Sequence, residues 1–312
     1  MGNNNVSPFI EINQEKVDEV VSMLVLLDKS LCINKKTECF PYIQQRRIIN
    51  SLFAENSELN YDEQVMLRLT VIDSLYSTNA AYSYFSIEEM VEKILSLGDE
   101  RAAADYFYGI ATLKHTGKIL FEERYGIRKN LEHGSKQMSL LSKYAYYLLL
   151  QNKERYPLGF PIYDSLAIDQ YPKLYERLFD KKSKAVKYIK DDIDNYILAL
   201  DEVRKELFEN SLCKFTLQDF DLLDAYLWRM GKLDNGNFSL LLNRSDYTLL
   251  IQNLGLRFYL TEKNVKEEQK KAKDDQFAKQ ITKKCKELEI KDVVMGIENS
   301  LFVQLLAHWK KY

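Results

Sequence analysis

The chain is predicted to be all-α, and three observations carry that prediction. Glycine and proline are scarce, at 11 and 5 of 312 residues, against usual shares of about 7% and 5%. Sandwiches and barrels need more turn residues than that. Apolar residues make up 46% of the chain, more than a disordered chain carries. Apolar side chains also recur at three- and four-residue steps, and no stretch sustains the alternation of a half-buried strand. The length suits one large domain or two smaller ones.

Taken in order, the first seven residues, with three consecutive asparagines, read as a frayed tail. From Asn13 the helical period takes over through Val17, Val20, Val21, Leu24 and Leu27. Residues 33–42, with Lys35, Lys36, Thr37 and Pro41, read as a connector. Helices are then expected near 43–55, 61–76, 86–97, 99–114 and 117–131. Ser86 and Glu89 have the spacing of a capping box, and Gly98 stops the helix they open. Residues 139–150, "SLLSKYAYYLLL", form a strongly apolar helix, followed by a loop carrying Pro157, Gly159 and Pro161. The next helix starts near Asp164, and a lysine-rich stretch at 181–190 leads into another at 191–209. Residues 216–232 form a helix with Thr216 and Asp219 in capping-box register. "GLRFYL" at 255–260 is the one short strand candidate. Residues 262–292, dense in Lys and Glu, read as a solvated helix, and 293–312 return to apolar-rich sequence. The chain thus divides into a tail and N-terminal helical layer (1–60), a helical core (61–232) and a C-terminal helical extension (233–312).

Composition excludes several functions. Mean hydropathy is −0.36, and no apolar run approaches the about 18 residues of a membrane span. A signal peptide is not expected, and a myristoylation pattern at Gly2 fails at Val6. The cytoplasm is the expected location. A net charge of −2 exerts no global pull on nucleic acid, although a local basic face would suffice. Cys32, Cys39, Cys213 and Cys285 are scattered and form no CxxC pair, and His115, His133 and His308 are far apart in sequence. Neither a metal site nor any other cofactor is expected.

The chemistry-bearing unit is a lysine early in an apolar helix, a Pro-containing loop, and an aspartate that starts the next helix. Lys143 and Asp164 stand twenty-one residues apart. Apolar surroundings disfavour an ammonium and free the lone pair a nucleophile needs. A helix N-terminus favours negative charge on Asp164. Together they suit attack on an electron-poor carbon with a carboxylate to stabilise developing positive charge. Each residue also has an ordinary structural reading: Asp164 as a plain N-cap, Lys143 as a solvated first-turn lysine.

This unit resembles the helix-hairpin-helix DNA glycosylase superfamily, and within it the 8-oxoguanine glycosylase branch, over about residues 61–232. Lys143 takes the position of the family's nucleophile, and "FPIYD", ending in Asp164, that of its catalytic aspartate. "YSTNAAYSYFSIEEMVEKI" resembles the segment whose asparagine fills the gap left by the flipped base, here Asn79. "LLDAYLWRMG" resembles the last pocket helix, with Asp224 reading the base edge and Trp228 stacking on the base. Tyr147, one turn beyond Lys143, takes the opposite pocket wall. The resemblance implies a glycosylase-like helical fold, a DNA partner carrying a modified base, and no obligatory protein partner. An ionised Asp224 accepts hydrogen bonds only, which suits a guanine-type edge and partly a cytosine amino group. Oxidised guanine is the first substrate expected, a modified pyrimidine of phage DNA the second. Departures are also present. Ser139 and Leu141 replace the hairpin glycines, leaving the phosphate grip to Ser139, Lys136 and the lysines beginning at Lys181 and Lys182. Leu166 and Tyr84 replace the family's histidine and its arginine that reads the opposite base, so opposite-base selectivity should differ.

Overall fold

The computed structural model describes residues 12–33, 41–54, 58–78, 80, 83–128, 133–182, 188–257 and 267–311. It is helical throughout, apart from one two-stranded ribbon among the described residues. In order come α1 (Gln14–Ile33), α2 (Pro41–Phe53), α3 (Tyr61–Tyr76), α4 (Ser86–Leu95), α5 (Glu100–Ala111) and the short α6 (Lys118–Phe121). The ribbon β1 (Tyr125–Ile127) and β2 (His133–Ser135) precedes α7 (Met138–Leu150) and α8 (Ser165–Phe179). α9 (Ile193–Arg204) runs on as a π-helical turn at Lys205–Glu209. α10 (Asp219–Asp234) is followed by a 3₁₀ turn (Phe238–Leu240), α11 (Arg244–Asn253), α12 (Glu267–Glu287), α13 (Ile290–Val293) and α14 (Ser300–Lys310). Among the described residues, no helix is long and apolar enough to cross a membrane.

Two helices organise the packing. α7 is apolar all round, as a helix enclosed by others must be, and α2, α3, α5 and α6 surround it. α10 packs against α8, α1, α14 and α9. One contiguous apolar core runs from Val17 on α1 to Trp309 on α14, so the N-terminal layer and the C-terminal extension both contribute to it. Its aromatic centre joins Phe53, Phe107, Tyr144, Phe121 and Phe160, the last two rings stacked at 5.8 Å.

The structure corrects three local expectations. The helix expected at 117–131 stops at Phe121 and gives way to the ribbon. Gly134 permits that ribbon: a Cβ there would lie 1.6 Å from the carbonyl oxygen of Tyr125, so only glycine lets the strands close. The Ser86–Glu89 box does not form. Ser86 donates instead to the carbonyl of Ala80, and Glu89 accepts from the N–H of Gly126. Nor does the Thr216–Asp219 box form. The N–H groups of Thr216 and Leu217 donate to Asp28 of α1, and α10 begins only at Asp219. The strand expected at 255–260 lies largely outside the described residues, and residues 255–257 are not in a strand.

α7 is also entered from β2 rather than from a preceding helix.

Candidate active site

Lys143 and Asp164 are brought together by a tie between their neighbours. The Ser142 hydroxyl accepts the N–H of Tyr163 at 2.9 Å and donates to the carbonyl of Ser139. The extended segment ending in Asp164 is thereby fastened alongside α7. Two further bonds hold it: Tyr196 donates to the carbonyl of Ile162 at 2.7 Å, and the Tyr163 hydroxyl accepts from the N–H of Asp191. Asp164 then caps α8, accepting from the N–H of Ala167 at 2.8 Å. The ordinary role and the functional one are thus compatible in the same side chain.

Lys143 lies in the second turn of α7 and is 5% exposed. Its amine donates to the Ser139 hydroxyl at 2.6 Å and sits 5.3 Å from the centre of the Tyr76 ring. Among the described residues its hydrogen bonds go to Ser139, not to a carboxylate. Burial pushes this amine below the ordinary lysine range, and the charges of Asp164 and Asp224 only partly oppose that. Asp224, half-buried on α10, is pushed the other way, well above the carboxylate range. Burial is the main cause, with the Asp164 carboxylate adding to it while Arg46 and Lys143 pull back. A carboxyl driven toward its neutral form donates a hydrogen bond as well as accepting one; Asp224 is not among the described residues that line the cavity faced by Lys143 and Asp164.

Lys143 and Asp164 face one cavity of about 250 Å³, whose lining also includes Gln45, Tyr76, Trp228 and Lys232. That is smaller than the about 300–1,000 Å³ of sites for drug-sized ligands and suits a single ring system. Lys232 is half-buried, and its ammonium sits 5.3 Å above the Trp228 ring. Asp224, Trp228 and Lys232 follow at four-residue spacing and so share one stripe of α10.

The remaining predicted residues scatter. Tyr147 is fully buried, stacked on Phe53, and its hydroxyl meets that of Tyr76, a lining residue, at 2.6 Å. It is a core residue rather than a pocket wall. Asn79 lies outside the described residues. Lys136 donates to the carbonyl of Asp191 at 2.9 Å. Lys181 and Lys182 are exposed beyond the far end of α8. Fifteen residues of helix set them about 22 Å from Asp164. Tyr84 is 59% exposed and paired through its backbone to Ile127.

Sequence reasoning missed Gln45, Tyr76 and Lys232. Only Lys232 left a readable signal, its four-residue step from Trp228. α2 further supplies Arg46, which pairs with buried Asp221 and bonds Tyr146, beside Asp224. No family model, curated protein or solved structure matches the chain.

Proposed function

We propose that this chain is a DNA glycosylase with strand-cleaving lyase capacity, acting through Lys143 on a modified base turned out of the duplex. One observation carries this reading: a desolvated lysine amine and a helix-capping carboxylate face the same small cavity, with an indole on its wall. Extruding a nucleotide costs a few kcal/mol, least for a damaged base. The Lys143 lone pair attacks the sugar C1′, and the C1′–N bond breaks with its electron pair leaving on the base. Asp164 stabilises the positive charge that develops at the sugar. The departing base takes up a proton from solvent. The attached amine then loses its proton, the ring C1′–O4′ bond opens to an imine, and O4′ is protonated. Loss of a C2′ proton expels the 3′ phosphate and cleaves the strand.

Oxidised guanine is the first candidate base and a modified cytosine the second, with DNA repair or defence against modified phage DNA as the setting. A second reading, a helical DNA-binding or interaction module without chemistry, is favoured by the strand that leads into α7 and by the Lys143 amine bonding to Ser139. Borohydride trapping separates the two. Wild type and Lys143→Gln are incubated with single strands and duplexes carrying 8-oxoguanine, glucosylated hydroxymethylcytosine or an abasic site. A covalent adduct that depends on Lys143 is expected. No adduct and no base release on any substrate, the abasic site included, would leave the binding module.

A further inference from the structure

Among the described residues, Lys232 is a cation of this cavity's lining that forms no ion pair. Burial pushes its amine downward, with only the charge of Asp164 opposing. Among the described residues no carboxylate forms an ion pair with it, and its ammonium rests on the π-face of Trp228. Other lysines nearby are differently placed: Lys173 on α8 is paired with Asp234, and Lys143 is enclosed. A half-buried ammonium that rests on a ring rather than on a carboxylate is poorly compensated for lost hydration.

The ring it covers is the one a flat ligand needs. Stacked rings sit with centroids about 4.5–7 Å apart, and the Lys232 ammonium already occupies that shell at 5.3 Å. A base stacking on this face must therefore displace the ammonium. A base attached to DNA arrives with a phosphate on either side, and lysine binds phosphate as a compact point charge. Resting on the reading of this cavity as a nucleotide site, we propose that Lys232 binds a backbone phosphate of the nucleotide held there, leaving the Trp228 face as the base takes it. Asp164 is the less suitable acceptor, because its carboxylate already caps α8 and is needed at the sugar.

The test uses oligonucleotides with one tetrahydrofuran abasic analogue, single-stranded and duplex, with either flanking phosphate replaced in turn by a neutral methylphosphonate. Binding is read from Trp228 emission, with Trp228→Phe giving the Trp309 background. Lys232→Met keeps the aliphatic stem on the indole, and Lys232→Arg keeps the charge. Lys232→Met is expected to weaken binding about tenfold and to reduce the salt slope by about one, with Lys232→Arg near wild type. One methylphosphonate should reproduce that loss in wild type and add nothing in Lys232→Met. A nucleoside 5′-monophosphate, the free source of the same group, should bind more weakly with the same dependence on Lys232. Unchanged affinity and salt slope in Lys232→Met, an equal loss on the neutral-linkage strands, or no response of Trp228 to any of these ligands would overturn the proposal. Lys143 adduct formation on a natural abasic site, run on the same samples, shows separately whether the glycosylase reading stands.

Discussion

Ser142→Ala tests the tie that unites the site. The Ser142 hydroxyl is fully buried and accepts the N–H of Tyr163 at 2.9 Å. Its removal leaves that N–H without a partner in the interior, at a cost of about 1–3 kcal/mol. Taking 2 kcal/mol as an approximate midpoint, and about 2 °C per kcal/mol for a large domain, Tm should fall by about 4 °C. The functional effect should be larger than this stability loss implies. The segment ending in Asp164 is released from α7, and a displacement of about 1 Å at a reacting centre can cost about a hundredfold in rate. Calorimetry on folded protein gives the first quantity, and the initial rate of borohydride-trapped adduct at a temperature well below Tm gives the second. Ser51→Ala, which removes an exposed hydroxyl bonded within its own helix, serves as the control and should change Tm by under about 1 °C. A normal adduct rate in Ser142→Ala despite a lowered Tm would refute the claim that this bond positions the aspartate. An unchanged Tm would refute the bond itself.

Three further predictions follow from the same geometry. The Lys143 amine has a folded pKa below its unfolded one, so the folded state binds fewer protons and wild-type stability rises with pH until the unfolded value of about 10.4 is passed. Lys143→Met removes that dependence. Its Tm advantage over wild type should be greatest near neutral pH and shrink toward pH 10; a constant difference would count against a desolvated amine. At Asp164, cap and chemistry separate by substitution. Asp164→Asn keeps the cap on Ala167 and should hold stability within about 0.5 kcal/mol, Asp164→Ala should lose about 1 kcal/mol, and both should lose the trapped adduct. Arg46→Ala strands the 2%-exposed Asp221 and should cost about 3–5 kcal/mol, most of it recovered in the Arg46→Ala, Asp221→Asn double variant; equal unfolding midpoints for the single and double variants in a denaturant titration would show that the charge is not the cause.

The sequence by itself determined what depends on neighbours along the chain. The period of apolar residues marked most of the helices. The strongly apolar composition of "SLLSKYAYYLLL" marked the surroundings of Lys143 as poorly solvated, and its burial in α7 desolvates the amine. Asp164 was legible as the start of α8 because a carboxylate three residues before a free N–H is a local arrangement. What failed were the features with rival partners elsewhere. Ser86 and Glu89 had capping spacing, but the carbonyl of Ala80 and the N–H of Gly126 lay closer once α4 docked on the ribbon. Thr216 was spaced to cap α10, but Asp28, far away in the chain, took its N–H.

Only the tertiary structure decided which side chains share the cavity. Tyr147 lies one turn past Lys143, yet it is buried against Phe53, while Tyr76 from α3 takes the place beside the amine. Gln45 arrives from the N-terminal layer because α2 packs between α3 and α7. Lys232 reaches the cavity because the stripe of α10 that carries Asp224 and Trp228 continues one turn further, alongside the start of α8. The physical reason is common to these cases. Local sequence sets which groups need burial, a charge or a hydrogen-bond partner, but many partners satisfy each need, and long-range packing selects among them.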